Sequence, residues 1–229
     1  MRYTRPLVSD FDPSSRSRLG WRDVGRFPGS SLFDRVARSV CAADVLPRKE
    51  LYESWEVARR ARALGRGARI VDLAAGHGLL GHLLLLLDPT APQAIAVDPA
   101  RPASAAPLSA ALLEAWPSLA GRLRYLEQRI EDVPLLPSDL VVSSHACGPL
   151  TDLVLARAME VRASVAVLPC CQDIKTLDTG GLEGWLEPTL AVDVVRAQRL
   201  ARAGYRVKTQ QIRGDVTPKN RLLLGFAPS

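Results

Sequence analysis

The fold is decided by the segment VDLAAGHG at residues 71–78. Its first residues are apolar and predict a buried strand, and its glycines predict a tight turn. A leucine-rich helix is predicted at about residues 77–87, and a second apolar segment, AIAVD at residues 94–98, ends on Asp98. A strand, a glycine turn, a helix and a strand that ends on an acid form the layout that binds an adenosine-containing cofactor at the carboxyl edge of a parallel sheet.

Two kinds of cofactor fit this layout. The sequence GHGLLG at residues 76–81 satisfies the G-x-G-x-x-G pattern of dinucleotide sites, which also carry an acid about 20 residues later. Asp72 favours S-adenosylmethionine instead, because a carboxylate inside the strand can accept hydrogen bonds from a cationic methionine tail. S-adenosylmethionine also has no pyrophosphate that needs a helix N-terminus. We therefore predict S-adenosylmethionine, with Asp98 on its ribose hydroxyls, and an NAD-type site or a non-catalytic fold remains the alternative.

Strand and helix patterns alternate along the rest of the chain. Further strands are predicted at residues 123–128, 140–144, 164–168, 205–212 and 221–226, with helices between most of them. Such alternation predicts a mostly parallel sheet with helices on both faces. Only eight residues, 213–220, join the last two strands, which is too few for a crossover helix, so these strands form a hairpin. The predicted fold class is α/β: a Rossmann-like, seven-stranded, mostly parallel sheet with a terminal antiparallel hairpin.

The first 66 residues differ in composition from the rest. Residues 1–30 are rich in Ser, Pro, Gly and Arg and predict an irregular arm, whereas residues 31–64 have apolar side chains at helical spacing. Residues 1–66 contain 14 Lys and Arg against 8 Asp and Glu, and residues 67–229 contain 16 of each, so the net charge of +6 lies in the first segment. We divide the chain into an N-terminal basic arm and helical cap, 1–66, and a catalytic domain, 67–229.

Two interpretations of this positive charge stay open. A basic extension on a neutral domain is typical of an enzyme that acts on a polyanion such as RNA. Alternatively, it is a solvated surface in an arginine-rich protein, since 26 of the 30 basic residues are Arg. No apolar run approaches the ~20 residues of a membrane span, and the first residues contain no apolar signal segment. The sequence therefore predicts a cytoplasmic protein with no membrane partner, whose four cysteines remain thiols.

The expected cofactor site lies at the carboxyl ends of the strands. Glycines there allow the backbone to approach the methionine part of the cofactor. In proteins of this topology, the turn after the third strand places a backbone N–H and an acid at the adenine edge, although Glu131 has the alternative of capping a short turn. The predicted cofactor-binding residues are Asp72, Ala74, Gly76, Gly78, Asp98, Ile130, Glu131 and Ser143.

Two further segments, HACGPLTD at residues 145–152 and PCCQ at residues 169–172, follow the fourth and fifth strands. They resemble the class I methyltransferase group that contains the eukaryotic tRNA 2′-O-methyltransferase of the acceptor stem, in which His-x-Cys-Gly…Thr-Asp is followed by Cys-Cys-His. Gln172 stands where that group has His. The resemblance covers about residues 70–226 and implies the class I fold, S-adenosylmethionine as cofactor and a possible RNA (tRNA) acceptor.

Three interpretations of the His and Cys residues compete. Zinc requires about four ligands, and the adjacent Cys170 and Cys171 do not form a C-x-x-C pair. A cysteine nucleophile, as in RNA cytosine-C5 methyltransferases, is the second. In the leading interpretation the cysteines pack as small apolar groups, while His145 and Asp152 orient or deprotonate the acceptor; a purely structural His145 is its alternative. The predicted catalytic residues are His145, Asp152 and Cys147, and no metal ion is predicted.

The sequence therefore predicts an S-adenosylmethionine-dependent methyltransferase that modifies RNA at an oxygen or a nitrogen. The alternatives are methylation of a protein or a small molecule, and a non-catalytic module that binds the cofactor or a partner. An NAD-dependent enzyme is the least favoured interpretation.

Overall fold

The computed structural model describes residues 11–169 and 176–228, and its centre is a seven-stranded sheet. The strands are β1 (Ile70–Leu73), β2 (Ala94–Asp98), β3 (Leu123–Glu127), β4 (Leu140–Ser143), β5 (Ser164–Val167), β6 (Arg206–Gln211) and β7 (Arg221–Phe226). Strands β1 to β5 are parallel, and β7 is antiparallel to both β5 and β6. The predicted α/β fold with its terminal hairpin is confirmed.

The strand order β3-β2-β1-β4-β5-β7-β6 locates the site. From β1 the chain first builds the sheet on one side, through β2 and β3, and then returns to build the other side from β4. The connections after β1 and β4 therefore leave the sheet in opposite directions and open a crevice at their carboxyl ends. Ligands of open α/β sheets bind in such a crevice.

Six α-helices among the described residues cover the two faces of the sheet. They are α1 (Leu32–Ala43), α2 (Arg48–Ala61), α3 (Leu79–Leu87), α4 (Ala105–Ala115), α5 (Pro149–Val161) and α6 (Pro188–Arg202). Because side chains alternate along a strand, Ile70 packs with α1 to α4 on one face, whereas Val71 packs with α5 and α6 on the other. Within residues 11–169 and 176–228, no helix combines the length and the apolar character needed to cross a membrane.

Helix α3 begins later than the sequence pattern predicts. The expected start is His77, but the helix begins at Leu79, because Gly78 has a left-handed backbone with φ of 78°. Residues 74–78 therefore form a loop between β1 and α3. This loop supplies several of the residues discussed below.

The cap packs against the sheet domain in one continuous core. Helix α1 contacts α4 and α2 contacts α3, and Leu51 of α2 is fully buried in the same cluster as Leu83 of α3. Residues 11–30, for which the sequence predicts an irregular arm, contain a short 3-10 helix at Trp21–Arg26 and bury Leu19 and Phe27 in this core. The division at residue 66 remains a prediction, and residues 1–10 of the arm lie outside the described part.

Candidate functional site

The loop after β1 has an unusual backbone. Ala74, Gly76 and Gly78 have positive φ angles of 55°, 53° and 78°. Glycine adopts this conformation freely, but at Ala74 it costs on the order of 1 kcal/mol. Strained positions of this kind concentrate at ligand-binding loops. The predicted role of these residues near a ligand fits this geometry.

The peptide of Gly76 is held from both sides. Its N–H donates to the Asp98 carboxylate at 3.0 Å, and its carbonyl accepts from the Tyr125 hydroxyl at 2.7 Å. Burial and the nearby Asp98 charge raise the pKa of Tyr125 to about 12, which keeps this hydroxyl protonated as a donor. The end of β2 and the middle of β3 thus fix the loop that follows β1.

A pocket of about 360 Å³ opens at this edge of the sheet. Its walls are formed by the ends of β1, β2, β3 and β4. The lining residues are Ala74, Gly76, Asp98, Pro99, Arg129, Ile130, Glu131, His145 and Leu150. Six residues predicted for the cofactor site or for catalysis therefore meet in one pocket.

Three of the pocket residues, Arg129, Ile130 and Glu131, come from the turn after β3. The Ile130 side chain is buried, whereas Glu131 is more exposed and pairs through Oε1 with Arg129 at 2.8 Å. The predicted contact of Glu131 with adenine remains a prediction, and Ile130 contributes an apolar side chain to the pocket wall.

Asp72 is buried beneath the loop and, among the described residues, does not line the pocket. Burial raises the pKa of its carboxyl to about 8, and the backbone N–H of Gly81 lowers the pKa only in part. Neither carboxylate oxygen has a full hydrogen bond to a described residue. Buried polar groups without partners are rare, so this carboxyl is a candidate for interaction with a positively charged ligand.

The turn after β4 is held by its own side chains. Ser143 is buried and its hydroxyl accepts from the Ala146 N–H at 3.3 Å, while the Thr151 hydroxyl donates to the Ala146 carbonyl. Cys147 is exposed on this turn. Ser143 therefore shapes the backbone that carries His145, and its predicted contact with the cofactor remains a prediction. Cys170, Cys171 and Gln172 lie outside the described residues.

Asp152 lies in an ion-pair group away from the ring of His145. Its carboxylate accepts from Arg196 at 2.7 Å and from Arg199 at 3.3 Å. The Arg196 guanidinium is almost completely buried and also donates to the Gly148 carbonyl at 3.1 Å. Removing one partner of a buried pair leaves an uncompensated charge. These contacts tie α5 to α6, and the predicted catalytic role of Asp152 gains no support from them.

A group that the sequence analysis missed lies next to the pocket. His77 Nε2 lies 2.7 Å from Glu50 Oε2, and the Leu79 N–H donates to His77 Nδ1 at 3.2 Å. Because Nδ1 accepts, the proton of neutral His77 is on Nε2 and points at Glu50. The ring of His145 packs edge-on against His77, with centroids 5.6 Å apart. One nitrogen or oxygen atom from each of these three side chains lies within 4.8 Å of those of the other two.

The environment sets the charges of this group. Burial and the neighbouring His77 lower the pKa of His145 to about 4, so its ring is neutral at pH 7. Burial, the largest single influence, opposes ionisation of Glu50, but the His77 hydrogen bond and the surrounding basic side chains together outweigh it and lower the pKa of Glu50. Within the described part of the chain, His145 Nε2 has no hydrogen-bond partner. An anionic carboxylate and a neutral imidazole therefore lie side by side.

A slightly larger pocket, about 410 Å³, lies between α6 and the last two strands. Its charged residues Asp193 and Arg221 are joined by a 2.6 Å hydrogen bond. Because it is lined mainly by apolar side chains and holds none of the residues at the β1–β4 crevice, we assign the chemistry to the smaller pocket.

Comparison with known protein families gives one match. A sequence profile for a family described as “Methyltransferase domain” matches residues 49–176, which is more than half of the 229 residues. A search of curated proteins finds no relative of this chain.

Solved structures with the same fold include several methyltransferases. An O-methyltransferase family protein from Burkholderia thailandensis superposes with a TM-score of 0.52 at 17% identity, over 94% of this chain and 65% of its own. A Clostridium thermocellum protein provisionally assigned as an rRNA methylase gives 0.51 at 15% identity, over 75% and 93%. The S-adenosylmethionine-dependent methyltransferase SibL gives 0.51 at 18%, over 93% and 66%. At these identities the likeness shows the fold.

Asp72 leads to a prediction about stability. With a pKa of 3.8 when exposed and about 8 when folded, its carboxyl keeps a proton in the folded protein that the unfolded chain releases between these values. The unfolded state then binds fewer protons, so stability falls as pH rises through this window, by about 1.4 kcal/mol per pH unit at most. Above pH 8 the loss is complete.

We expect Asp72→Asn to remove this loss, so that the variant becomes more stable than the wild type as pH rises from 5 to 8. Urea unfolding at pH 5, 6, 7 and 8 measures the difference. Asp132→Asn, at an exposed aspartate, is the matched control and should follow the wild type. Parallel pH profiles for Asp72→Asn and the wild type would contradict the assigned pKa.

Proposed function

The chain belongs to this methyltransferase-domain family, and we propose that it uses S-adenosylmethionine to methylate RNA, tRNA foremost, at an oxygen or a nitrogen. One observation supports the cofactor most directly: Asp98, which ends β2, both fixes the glycine loop and lines the crevice pocket. The carboxylate therefore stands where the ribose of an adenosine cofactor is bound in folds of this type.

The residues present fit this cofactor. Asp98 would accept from the ribose hydroxyls, the Gly76 region would lie along the methionine part, and Ile130 would pack on the adenine. The buried Asp72 carboxyl, which lacks a full hydrogen bond to a described residue, is mostly protonated at pH 7, and a cationic ligand beside it would favour its ionised form. When bound, S-adenosylmethionine supplies an electrophilic methyl group on a sulfonium.

The protein's task in such a reaction is alignment and exclusion of water more than acid–base chemistry. The loop conformation places backbone rather than side chains at Gly76, and a Cβ at this position would lie 4.0 Å from the His145 ring. His145 lines the same pocket. We assign His145 the role of orienting the acceptor atom toward the methyl group.

Support for an RNA acceptor comes from residues 1–66, which hold the whole net charge. Part of that charge is paired internally, since Arg18 contacts Asp44 at 3.2 Å and Arg60 contacts Glu56 at 2.7 Å. The net charge of residues 1–66 alone therefore overstates how much positive charge is available to an anionic partner. Arg22 lies over the ring of Trp21 at 5.2 Å, and Trp21 is 72% exposed. An exposed aromatic ring beside a cation is a combination that stacks on unpaired bases.

The cofactor proposal predicts that S-adenosylmethionine and S-adenosylhomocysteine bind in titration calorimetry, and that Asp98→Asn weakens both at least tenfold. Asparagine keeps an oxygen for the Gly76 N–H, but its amide nitrogen cannot accept from a ribose hydroxyl. Glu127→Gln, at the exposed end of β3 beside Asp98, is the control and should bind as the wild type does. No heat at millimolar ligand, or a preference for NAD, would refute the proposal.

The RNA proposal predicts that tRNA binding weakens steeply with salt. Replacing Arg16 and Arg22, both exposed, with Gln should lower the affinity and reduce the slope of log K against log salt by about 1 for each phosphate that is no longer neutralised. Filter binding at several salt concentrations measures this. Arg124→Gln/Arg202→Gln, at two exposed arginines elsewhere, removes the same charge and should have a smaller effect. Equal slopes for wild type and the Arg16/Arg22 variant would instead favour a small-molecule or protein acceptor.

A further inference from the structure

We propose that Glu50 and His145 together bind the hydrogen-bearing acceptor atom, a hydroxyl or an amino group, and that His77 positions Glu50 for this task. The inference rests on the proposed methyl transfer and adds a residue from the helical cap to the reacting centre. Glu50 lies in α2, which packs over α3 and brings its side chain to the loop after β1. The Glu50 side chain keeps 30% of its surface exposed, and His145, which belongs to the same group, lines the crevice pocket.

The polar atoms of this group are close enough for one ligand atom to contact two of the side chains. One atom from each of Glu50, His77 and His145 lies within 4.8 Å of those of the other two. One atom that makes two hydrogen bonds of about 2.8 Å at a tetrahedral angle spans about 4.6 Å. A single hydroxyl or amino group can therefore contact both Glu50 and His145, and the protonation of His77 decides between such a group and a metal ion.

The protonation of His77 favours a bound acceptor atom over a metal ion. A neutral histidine that binds a metal through Nε2 carries its proton on Nδ1 and donates it. Here Nδ1 accepts from the Leu79 N–H at 3.2 Å, so Nδ1 cannot carry the proton that a metal-binding Nε2 would require. His77 is instead a fixed donor whose Nε2–H holds Glu50 Oε2 at 2.7 Å. His77 binds only this oxygen of Glu50, so the other carboxylate oxygen is available to a group bound in the crevice.

The two remaining acceptor sites define the substrate chemistry. Glu50 offers a carboxylate oxygen, and His145 offers an Nε2 that has no partner among the described residues. An amino group can donate one hydrogen to each, and a hydroxyl can donate to Glu50 while it accepts from a protonated Nε2. In the transfer, the acceptor atom forms the bond to the methyl carbon and the carbon–sulfur bond breaks with its electron pair on sulfur. The acceptor's proton passes to Glu50.

The test uses the full-length protein, tritiated S-adenosylmethionine and whole-cell extract from a strain that lacks the gene, separated into RNA, protein and small-molecule fractions after reaction. Because every acceptor class is present, the test does not require RNA to be the substrate. We expect Glu50→Gln to lower the single-turnover rate at least 100-fold, with affinity for S-adenosylhomocysteine within twofold of wild type. Glu114→Gln, at an exposed glutamate of α4, is the control and should react as wild type does.

A pair of His77 variants tests whether His77 positions Glu50. The same pair tests the assignment if Glu50→Gln does not fold. The amide nitrogen of His77→Gln can still donate to Glu50, so this variant should retain at least ten times the rate of His77→Ala. Transfer by Glu50→Gln at the wild-type rate, or equal rates for the two His77 variants, would overturn the assignment while methyl transfer itself stands. Absence of label from the wild type in all three fractions would overturn the proposed function and this assignment with it.

Discussion

The geometry of the site depends on one peptide, that of Gly76, which Asp98 and Tyr125 hold from opposite sides. Asp98 ends β2 and Tyr125 lies in the middle of β3, so the positive-φ loop after β1 is fixed only when three neighbouring strands are in register. This loop in turn sets the start of α3 and forms part of the pocket wall. Among the described residues, assembly of the sheet therefore also forms this part of the pocket.

The same region concentrates polar groups that burial does not favour. Burial raises the pKa of Asp72 to about 8 and lowers those of His82 and His145 to about 4. The Gly78 carbonyl satisfies His82 at 2.8 Å, whereas Asp72 and His145 have atoms without a partner in the described residues. Such groups lower the stability of the free protein. A cationic cofactor beside Asp72 and a polar acceptor beside His145 would supply the missing interactions, so we expect ligands to stabilise the fold.

The sequence was sufficient for the sheet and for the meeting of the glycine loop with Asp98, because both follow from local patterns. Apolar runs predicted β1 to β7, the eight-residue connection predicted the hairpin, and the glycine loop and Asp98 lie close together in one strand–helix–strand unit. The group proposed to bind the acceptor depends on contacts between segments that are distant in the sequence. Glu50 meets His77 only because α2 packs on α3, and Asp152 pairs with Arg196, 44 residues away. Neither contact can be predicted from the spacing of residues in the sequence.

The central claim is that an adenosine cofactor occupies the crevice beside Asp98. The most direct measurement is a crystal structure of the protein with S-adenosylhomocysteine. We expect both ribose hydroxyls at hydrogen-bond distance from the Asp98 carboxylate, the adenine against Ile130 and the sulfur on the His145 side of the pocket. A ligand seated between α6 and the last two strands, or a ribose with no contact to Asp98, would contradict it.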